Sequence, residues 1–316
     1  FIENKYTEWV LSHHKRGDET LRLLRNSFSH LMTRPMHSIN AWDMQKWRSE
    51  KTRSGLKAST INRKVATLKA VLSRAVEWEV IEVNPLQNIK PIRIDARSRI
   101  RYLLPDEEKR LRAALDARED EMRIARQSAD KWRQRRRYDT YGDFRGKFVD
   151  YLKPMVLLCL NTGMRRGEIF NLRWEDIEFA KKSLVVEGGG AKTGQTRHIS
   201  MNSEVVSLLK QWRQQSQGEL VFASPVTGER FDNIQNAWQQ LLKKAGIDNF
   251  RFHDIRHTFA SKLVMAGVDL YTVKELMGHS TIQMTEKYAH LAPEHKVSAV
   301  ERLINSPIHM GKMPAV

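Results

Sequence analysis

Apolar positions in residues 1–85 recur every three to four residues, the spacing of one helix face. Phe1–His13 and Glu19–Met32 each carry such a stripe. A third helix is expected to begin near Asn40, a residue type that accepts the free N–H groups of a first turn, and to include Trp42, Met44 and Trp47. The fourth pattern is the clearest. Ser59 or Thr60 would cap it, Ile61, Val65, Leu68, Leu72 and Ala75 line one face, and Arg63, Lys64, Lys69 and Arg74 line another. Asn84-Pro85 ends the unit, because a residue preceding proline is pushed out of the helical region. Residues 1–87 thus read as a helical domain with one basic helix. Residues 88–101 (NIKPIRIDARSRIR) lose the periodicity and carry Lys90, Arg93, Arg97, Arg99 and Arg101, which predicts a basic, extended linker.

A second domain is expected over 102–305, with 306–316 as a tail. Pro105 and the acids Asp106, Glu107 and Glu108 suit a helix start, and the pattern runs on through Ala129. Lys153 to Leu172 reads as a buried helix, a glycine turn and a second helix. The sequence from Asp176 to Val186 moves toward strand. Ser183–Glu187 and Thr196–Met201, flanking GGGAKTG, read as a β-hairpin with a glycine-rich turn. Ser203–Gln215, Asp232–Ala245, His253–Ala266, Tyr271–Met277 and Ile282–Ala289 read as helices, with Met277 and Met284 in the core. The fold class expected is mainly α with a small β-hairpin or sheet.

Composition narrows the function classes. Of 316 residues, 54 are Lys or Arg and 37 are Asp or Glu, a net charge of +17 that favours a polyanionic partner. The hydrophobic fraction of 41% argues against disorder. The single cysteine, Cys159, cannot form an internal disulfide, and its aliphatic neighbours suggest a buried small hydrophobe. The longest apolar run, Met155–Leu160, is far shorter than the ~20 residues of a membrane span. A cytoplasmic protein is expected.

Several local motifs weaken under inspection. HDIRH at 253–257 places two histidines one helical turn apart, but Asp254 is shorter than the glutamate of a metalloprotease helix and Arg256 would repel a divalent ion. GGGAKTG lacks the glycine that precedes the lysine of a phosphate-binding loop, and it lies between two strands. The run KWRQRRRYDTYGDFRGK at 131–147 mixes arginines with aromatic residues and suits either a solvated face or a DNA contact.

The ordered set carries more. Arg165 follows Thr162-Gly163, Lys192 sits on the hairpin turn, His253 and Arg256 share a helix face, His279 follows Gly278, and Tyr288 comes in EKYAH. These six, with LNTGMRRGEI, FHDIRHTFAS and LMGHS around them, resemble the tyrosine recombinases of the phage integrase family. The chemistry suits the residue types. Cutting DNA while conserving the bond needs a covalent phosphoester on a side chain, and a phenolate also leaves well in the reverse step. Two permanently charged, planar guanidiniums suit the oxygens of a phosphoryl transition state.

The resemblance implies a helical core-binding domain and a catalytic domain closing as a clamp on DNA. It implies Tyr288 as nucleophile and Arg165 and Arg256 on the phosphate. It further implies His253 and His279 as hydrogen-bonding partners, with His253 sharing the tyrosyl proton, and Lys192 as the general acid. Glu168, three residues from Arg165, is expected to orient it, while His257 is expected to pack or hydrogen-bond locally. Lys57, Arg63, Lys64, Lys69, Arg97 and Arg99 are expected to contact DNA. No metal or other cofactor is expected. The partners implied are a double-stranded DNA recombination site and a homotetramer assembled on it from free monomers, with accessory DNA-bending or directionality factors. The amphipathic stretch APEHKVSAVERLI would link protomers. Some family members carry a further arm-binding domain ahead of the helical one, a question the sequence read from Phe1 leaves open. The readings left open are a type IB topoisomerase, a non-catalytic DNA-binding accessory factor and a metal-dependent nuclease.

Overall fold

Each apolar stripe of the first 85 residues becomes a helix face in the computed structural model, which describes residues 1–94, 100–142, 144, 146–187 and 196–292. The chain divides into two compact units, Phe1–Ser98 and Arg99–Val316. The first is built from α1 (Thr7–His13), α2 (Gly17–Phe28), α3 (Ala41–Arg53) and α4 (Ala58–Glu77), with a further helical turn at Ile2–Tyr6. Leu24, Phe28, Met44, Ile61 and Leu72 lie at its centre. Trp47 is buried there because its indole N–H finds the Ser27 carbonyl at 2.8 Å. Asn40 caps α3 reciprocally. Its side chain accepts the Asp43 N–H at 3.1 Å, and Asp43 accepts the Asn40 N–H at 3.0 Å. Neither Ser59 nor Thr60 caps α4. The helix begins at Ala58, and the Lys57 carbonyl accepts the N–H groups of Thr60 and Ile61.

The expected linker is not free over its first half. Leu86 is fully buried, and Ile89 and Ile92 pack on the same core, so an apolar residue every third position brings this segment back onto the helices. Asn62 on α4 holds the Ile92 backbone by two 2.8 Å hydrogen bonds, donating to its carbonyl and accepting its N–H. The Lys69 ammonium donates to the Gln87 carbonyl at 2.8 Å and to that of Ile89 at 3.2 Å. Lys69 is therefore engaged in the fold, whereas Lys57 and Arg63 are exposed and Lys64 is half-buried on α4. Arg97 and Arg99 lie outside the described residues. At the other end, Arg101 forks onto Glu107 at 2.6 and 2.8 Å, inside the second unit.

In the second unit, α5 (Pro105–Arg135) starts as expected, the Glu107 carboxylate accepting the Leu104 N–H at 2.9 Å, but runs six residues past Ala129. α6 (Leu152–Thr162) is buried almost all round and packs against α8 (Ser203–Arg213) and α10 (Asp254–Met265). Between α7 (Arg166–Asn171) and α8 lies an antiparallel sheet in the order β1 (Ile177–Glu178), β2 (Ser183–Val186), β3 (Arg197–Ser200). Leu184 pairs with Ile177 on one side and Ile199 on the other, a row of three buried aliphatic residues that sets the register. The turn between β2 and β3, with Lys192, lies outside the described residues, as does the expected helix after Ala292. α9 (Gln235–Ala245) packs on α5, and α11 (Leu270–Met277) on α10.

The last helix predicted is interrupted. α12 spans only Gln283–Glu286, and a tight turn follows at Ala289–Leu291. Met284 is 40% exposed rather than in the core, because α12 buries Thr285 instead. Among the described residues no helix is long and apolar enough to cross a membrane.

The Asn62 clasp makes a prediction. Asn62→Ala removes two hydrogen bonds worth about 0.5–1.5 kcal/mol each, so urea unfolding of the first unit should shift by about 1–3 kcal/mol. The Ile92 amide should also exchange with solvent faster. Unaltered exchange at Ile92 would show that something other than Asn62 fastens the segment.

Candidate active site

Two left-handed glycine turns bring the expected residues together. α6 ends at Gly163, with φ +61°, and a Cβ there would lie 2.4 Å from the Phe259 ring. The chain can then place Arg165 at the head of α7. α11 ends at Gly278, with φ +59°, where a Cβ would lie 2.5 Å from the Arg197 side chain. The carbonyls exposed at these turns grip the two arginines. Arg256, only 3% exposed, donates to the Gly163 carbonyl at 2.6 Å and to that of Met277. Arg165 donates to the Gly278 carbonyl at 3.0 Å.

Glu168 completes the arrangement. It accepts the Arg165 backbone N–H and one guanidinium N–H, both at 2.8 Å. Its two oxygens also take the Arg197 guanidinium at 3.0 and 2.7 Å. Burial opposes the charge on Glu168, but the paired arginines hold its carboxyl down to about 2. Burial, then the Arg165 charge, lowers Arg256 to about 10, so it remains a cation at neutral pH. Arg165 and Arg197 therefore share one carboxylate while Arg256 adds a third cation, and the excess positive charge suits an anion with several oxygens.

The histidines beside this cluster are held neutral. His279 has its Nδ1 2.7 Å from the Thr285 hydroxyl, and burial followed by the Arg256 charge takes it down to about 3. Burial, then the Lys287 charge, takes His257 down to about 4. His253 shifts the same way through partial burial and Arg256. Tyr288 is fully buried against Ala260, Val264, Val273 and Met277. Burial raises its phenol above the usual range, opposed by Arg256.

The Tyr288 oxygen lies 2.6 Å from Nδ1 of His257. The expected partner was His253, whose ring is next to that of His257, 5.4 Å between centroids. The difference follows from where Tyr288 is buried: the apolar cluster lies at the later turns of α10, which His257 adjoins and His253 precedes. Arg165, Glu168, His253, Arg256, His279 and Tyr288 thus stand in one region of the second unit.

Arg197 is a residue of this region that the sequence reading missed, and His257, expected to pack or hydrogen-bond locally, bonds to the phenol of Tyr288. Arg197 had a legible signal, since strand alternation puts it on the same face as the buried Ile199. A cation on a core-facing strand position needs a buried partner. Cys159 is 1% exposed and burial pushes its thiol up to about 12, consistent with an inert core position.

Comparison with known proteins decides the family. The family profile described as "Phage integrase family" matches residues 147–295, and "Phage integrase, N-terminal domain" matches residues 4–93. The chain belongs to the phage integrase family of tyrosine recombinases. The chain is similar to the integrase of Salmonella phage P22, 36% identical over 155 residues, which is 46% of this chain and 40% of that protein. It is also similar to a XerC-like tyrosine recombinase of Caldanaerobacter subterraneus, 33% identical over 190 residues, 48% of this chain and 49% of that one. The chain therefore spans less than half the length of these two curated relatives. Among solved structures, the Tn1549 transposon integrase in complex with a circular intermediate DNA is similar with a TM-score of 0.67 at 20% identity, covering 94% of this chain and 98% of that one. A lambda integrase dimer bound to a core site gives 0.63 at 18% identity, covering 89% and 94%. At these identities the structures establish a shared fold, mainly helical with a small sheet.

The cluster makes two predictions. Arg197→Ala should destabilise the second unit by about 3 kcal/mol in urea unfolding, because it removes one partner of a buried ion pair. Unchanged stability would mean that Arg165 alone suffices for Glu168. The histidines predict acid lability. His257 and His279 titrate below their ordinary value of 6.5, so the stability from their neutrality is complete above pH 6.5 and is lost as pH falls toward about 4 and 3. Glu168 adds a loss between 4.5 and about 2. Unfolding midpoints followed from pH 7 downward by tryptophan fluorescence should fall below pH 6.5, and the His257→Gln/His279→Gln variant should fall less.

Proposed function

We propose that this chain is a site-specific DNA recombinase, an integrase of a phage or other mobile element, that cuts and rejoins DNA through a 3′-phosphotyrosyl intermediate. The observation that carries the reading is the joint anchoring of Arg165 and Arg256 on the Gly163 and Met277–Gly278 turns, beside Tyr288. Family membership supports it, as do the DNA-bound forms of the similar Tn1549 and lambda integrases.

Arg165 and Arg256 would take the non-bridging oxygens of the scissile phosphate, with His279 adding a hydrogen bond through the ring nitrogen not engaged by Thr285. The Tyr288 oxygen attacks phosphorus, the bond to the 5′-oxygen breaks, and the phosphoester energy is kept in the Tyr288–phosphate bond. His257, neutral and within hydrogen-bond reach, receives the phenol proton. Lys192, from the hairpin turn, gives a proton to the departing 5′-hydroxyl. Attack of a 5′-hydroxyl from another strand reverses the step. No step needs a metal ion or a nucleotide. The buried Tyr288 must come out of its pocket to reach a phosphate, which requires the short Ala289–Leu291 turn to shift.

The helical unit is assigned to DNA binding, with Lys57 at the cap of α4 and Arg63 and Lys64 within it, together with Arg97 and Arg99, on the phosphates. The partner is a double-stranded recombination site, with monomers assembling as a tetramer on it and accessory bending or directionality factors taking part. The setting is the bacterial cytoplasm, at the nucleoid when bound.

A nicked suicide substrate tests the chemistry. Wild type should trap a 3′-phosphotyrosyl adduct, Tyr288→Phe should trap none, and Arg165→Ala should form it at least about 100-fold more slowly. An adduct persisting in Tyr288→Phe would sink the assignment of the nucleophile. A topoisomerase of the same chemistry would relax supercoiled plasmid as a monomer, whereas a recombinase requires two matched sites and yields exchanged strands.

A further inference from the structure

We propose that the arm formed by residues 120–142 is a separate nucleic-acid contact that takes the phosphate backbone of duplex DNA. The last buried residue of α5 is Glu119, and none of residues 120–135 is buried. These sixteen residues extend roughly 24 Å with no core of their own. Isolated helices of that length are marginal in water, so something beyond helix propensity has to hold the arm.

The structure shows what holds it. The returning chain lays aromatic rings against arginines. Arg126 lies 4.5 Å from the Phe144 ring and 5.1 Å from that of Tyr141. Arg133 lies 4.6 Å from Tyr141, and Arg136 lies 4.0 Å from Trp132. Trp132 and Tyr138 stack at 6.1 Å, and Asp130 accepts the Tyr141 N–H at 2.7 Å. A guanidinium lying over a ring keeps N–H edges free for a planar, two-point contact with phosphate.

The excess charge of this arm is concentrated in its outer part. Lys131 to Gly142 hold five cations, Lys131, Arg133, Arg135, Arg136 and Arg137, against one acid, Asp139. Among the described residues, Arg126, Lys131, Arg135, Arg136 and Arg137 make no ion pair. Nearer the core the opposite holds: Arg112 pairs with Glu108 and Glu204, Arg118 with Asp150, and Lys153 with Asp116. Cations at this density match duplex DNA, which carries a charge every ~1.7 Å of axis, better than they match the sparser acids of a folded protein surface. Trp132, Tyr138 and Tyr141, each at least half exposed, add faces for sugar and base edges.

The proposal rests on the DNA-acting reading for its choice of partner, but its test reads binding without cleavage, so the two can fail separately. The full chain is titrated with a labelled random-sequence duplex several helical turns long, at a series of sodium chloride concentrations. The Arg135→Gln/Arg136→Gln/Arg137→Gln variant, which keeps helix-forming residues, should flatten the slope of log affinity against log salt by about 2–3, near 0.9 per lost phosphate contact. A charge-matched control elsewhere in the second unit, Lys181→Gln/Lys210→Gln/Arg213→Gln, should flatten it by less than about 1. Arg136→Gln alone should lower it by about 1, which keeps the test usable if the triple variant loses helix by circular dichroism. Equal flattening in the two triple variants would reduce the effect to bulk charge and overturn the proposal. An unchanged DNA slope with lost binding to polyglutamate would assign the arm to an acidic protein instead, and would also overturn it.

Discussion

Glu168 is buried between two arginines that come from different parts of the chain. Arg165 stands at the head of α7, three residues before Glu168, and Arg197 on β3, twenty-nine residues after it. Burying a carboxylate is costly unless its oxygens are hydrogen-bonded, and here both oxygens are taken by guanidinium groups and one also by a backbone N–H. The carboxylate in turn fixes the rotamers of two long, otherwise flexible side chains. The strand that follows the hairpin turn and the arginine assigned to the phosphate are thereby tied to one point. Most of the geometry of the region follows from that tie.

The second guanidinium, that of Arg256, is held differently. It sits deep in the unit and points at carbonyls that two helices leave unpaired where they end, at Gly163 and at Met277. Helix C-termini carry partial negative charge, so they can stabilise a buried cation with no carboxylate beside it. The excess charge of the cluster has a chemical consequence. Burial first, and the surrounding positive charge second, keep the nearby histidines neutral, which leaves His257 able to accept a proton from Tyr288. Arg256 partly offsets the burial that raises the Tyr288 phenol.

Much of the fold was legible because its signals are local. Helix faces in the first 85 residues follow from apolar spacing, the start of α3 from Asn40, and the start of α5 from Pro105 and its acids. Errors fell where an element's fate depends on distant partners. Residues 88–94 look like a linker in isolation, because the residues that retain them, Asn62 and Lys69, lie about twenty to thirty positions away. Met284 looks apolar in the pattern, yet α12 turns Thr285 inward toward His279. The helix expected through Tyr288 breaks after Glu286, and Tyr288 itself is buried against α10 and α11.

The sequence by itself determined which residue types are present, in what order, and the glycines that permit the two left-handed turns. That information is carried by single positions and short spacings, so it can be read without coordinates. Only the tertiary structure decided that Arg197 shares Glu168 with Arg165, and that His257 rather than His253 meets Tyr288. These pairings join residues about thirty positions apart through packing of helices and a sheet. A difference of one helical turn, about 5.4 Å, separates a hydrogen bond from none. No local spacing encodes an offset that small between segments that far apart.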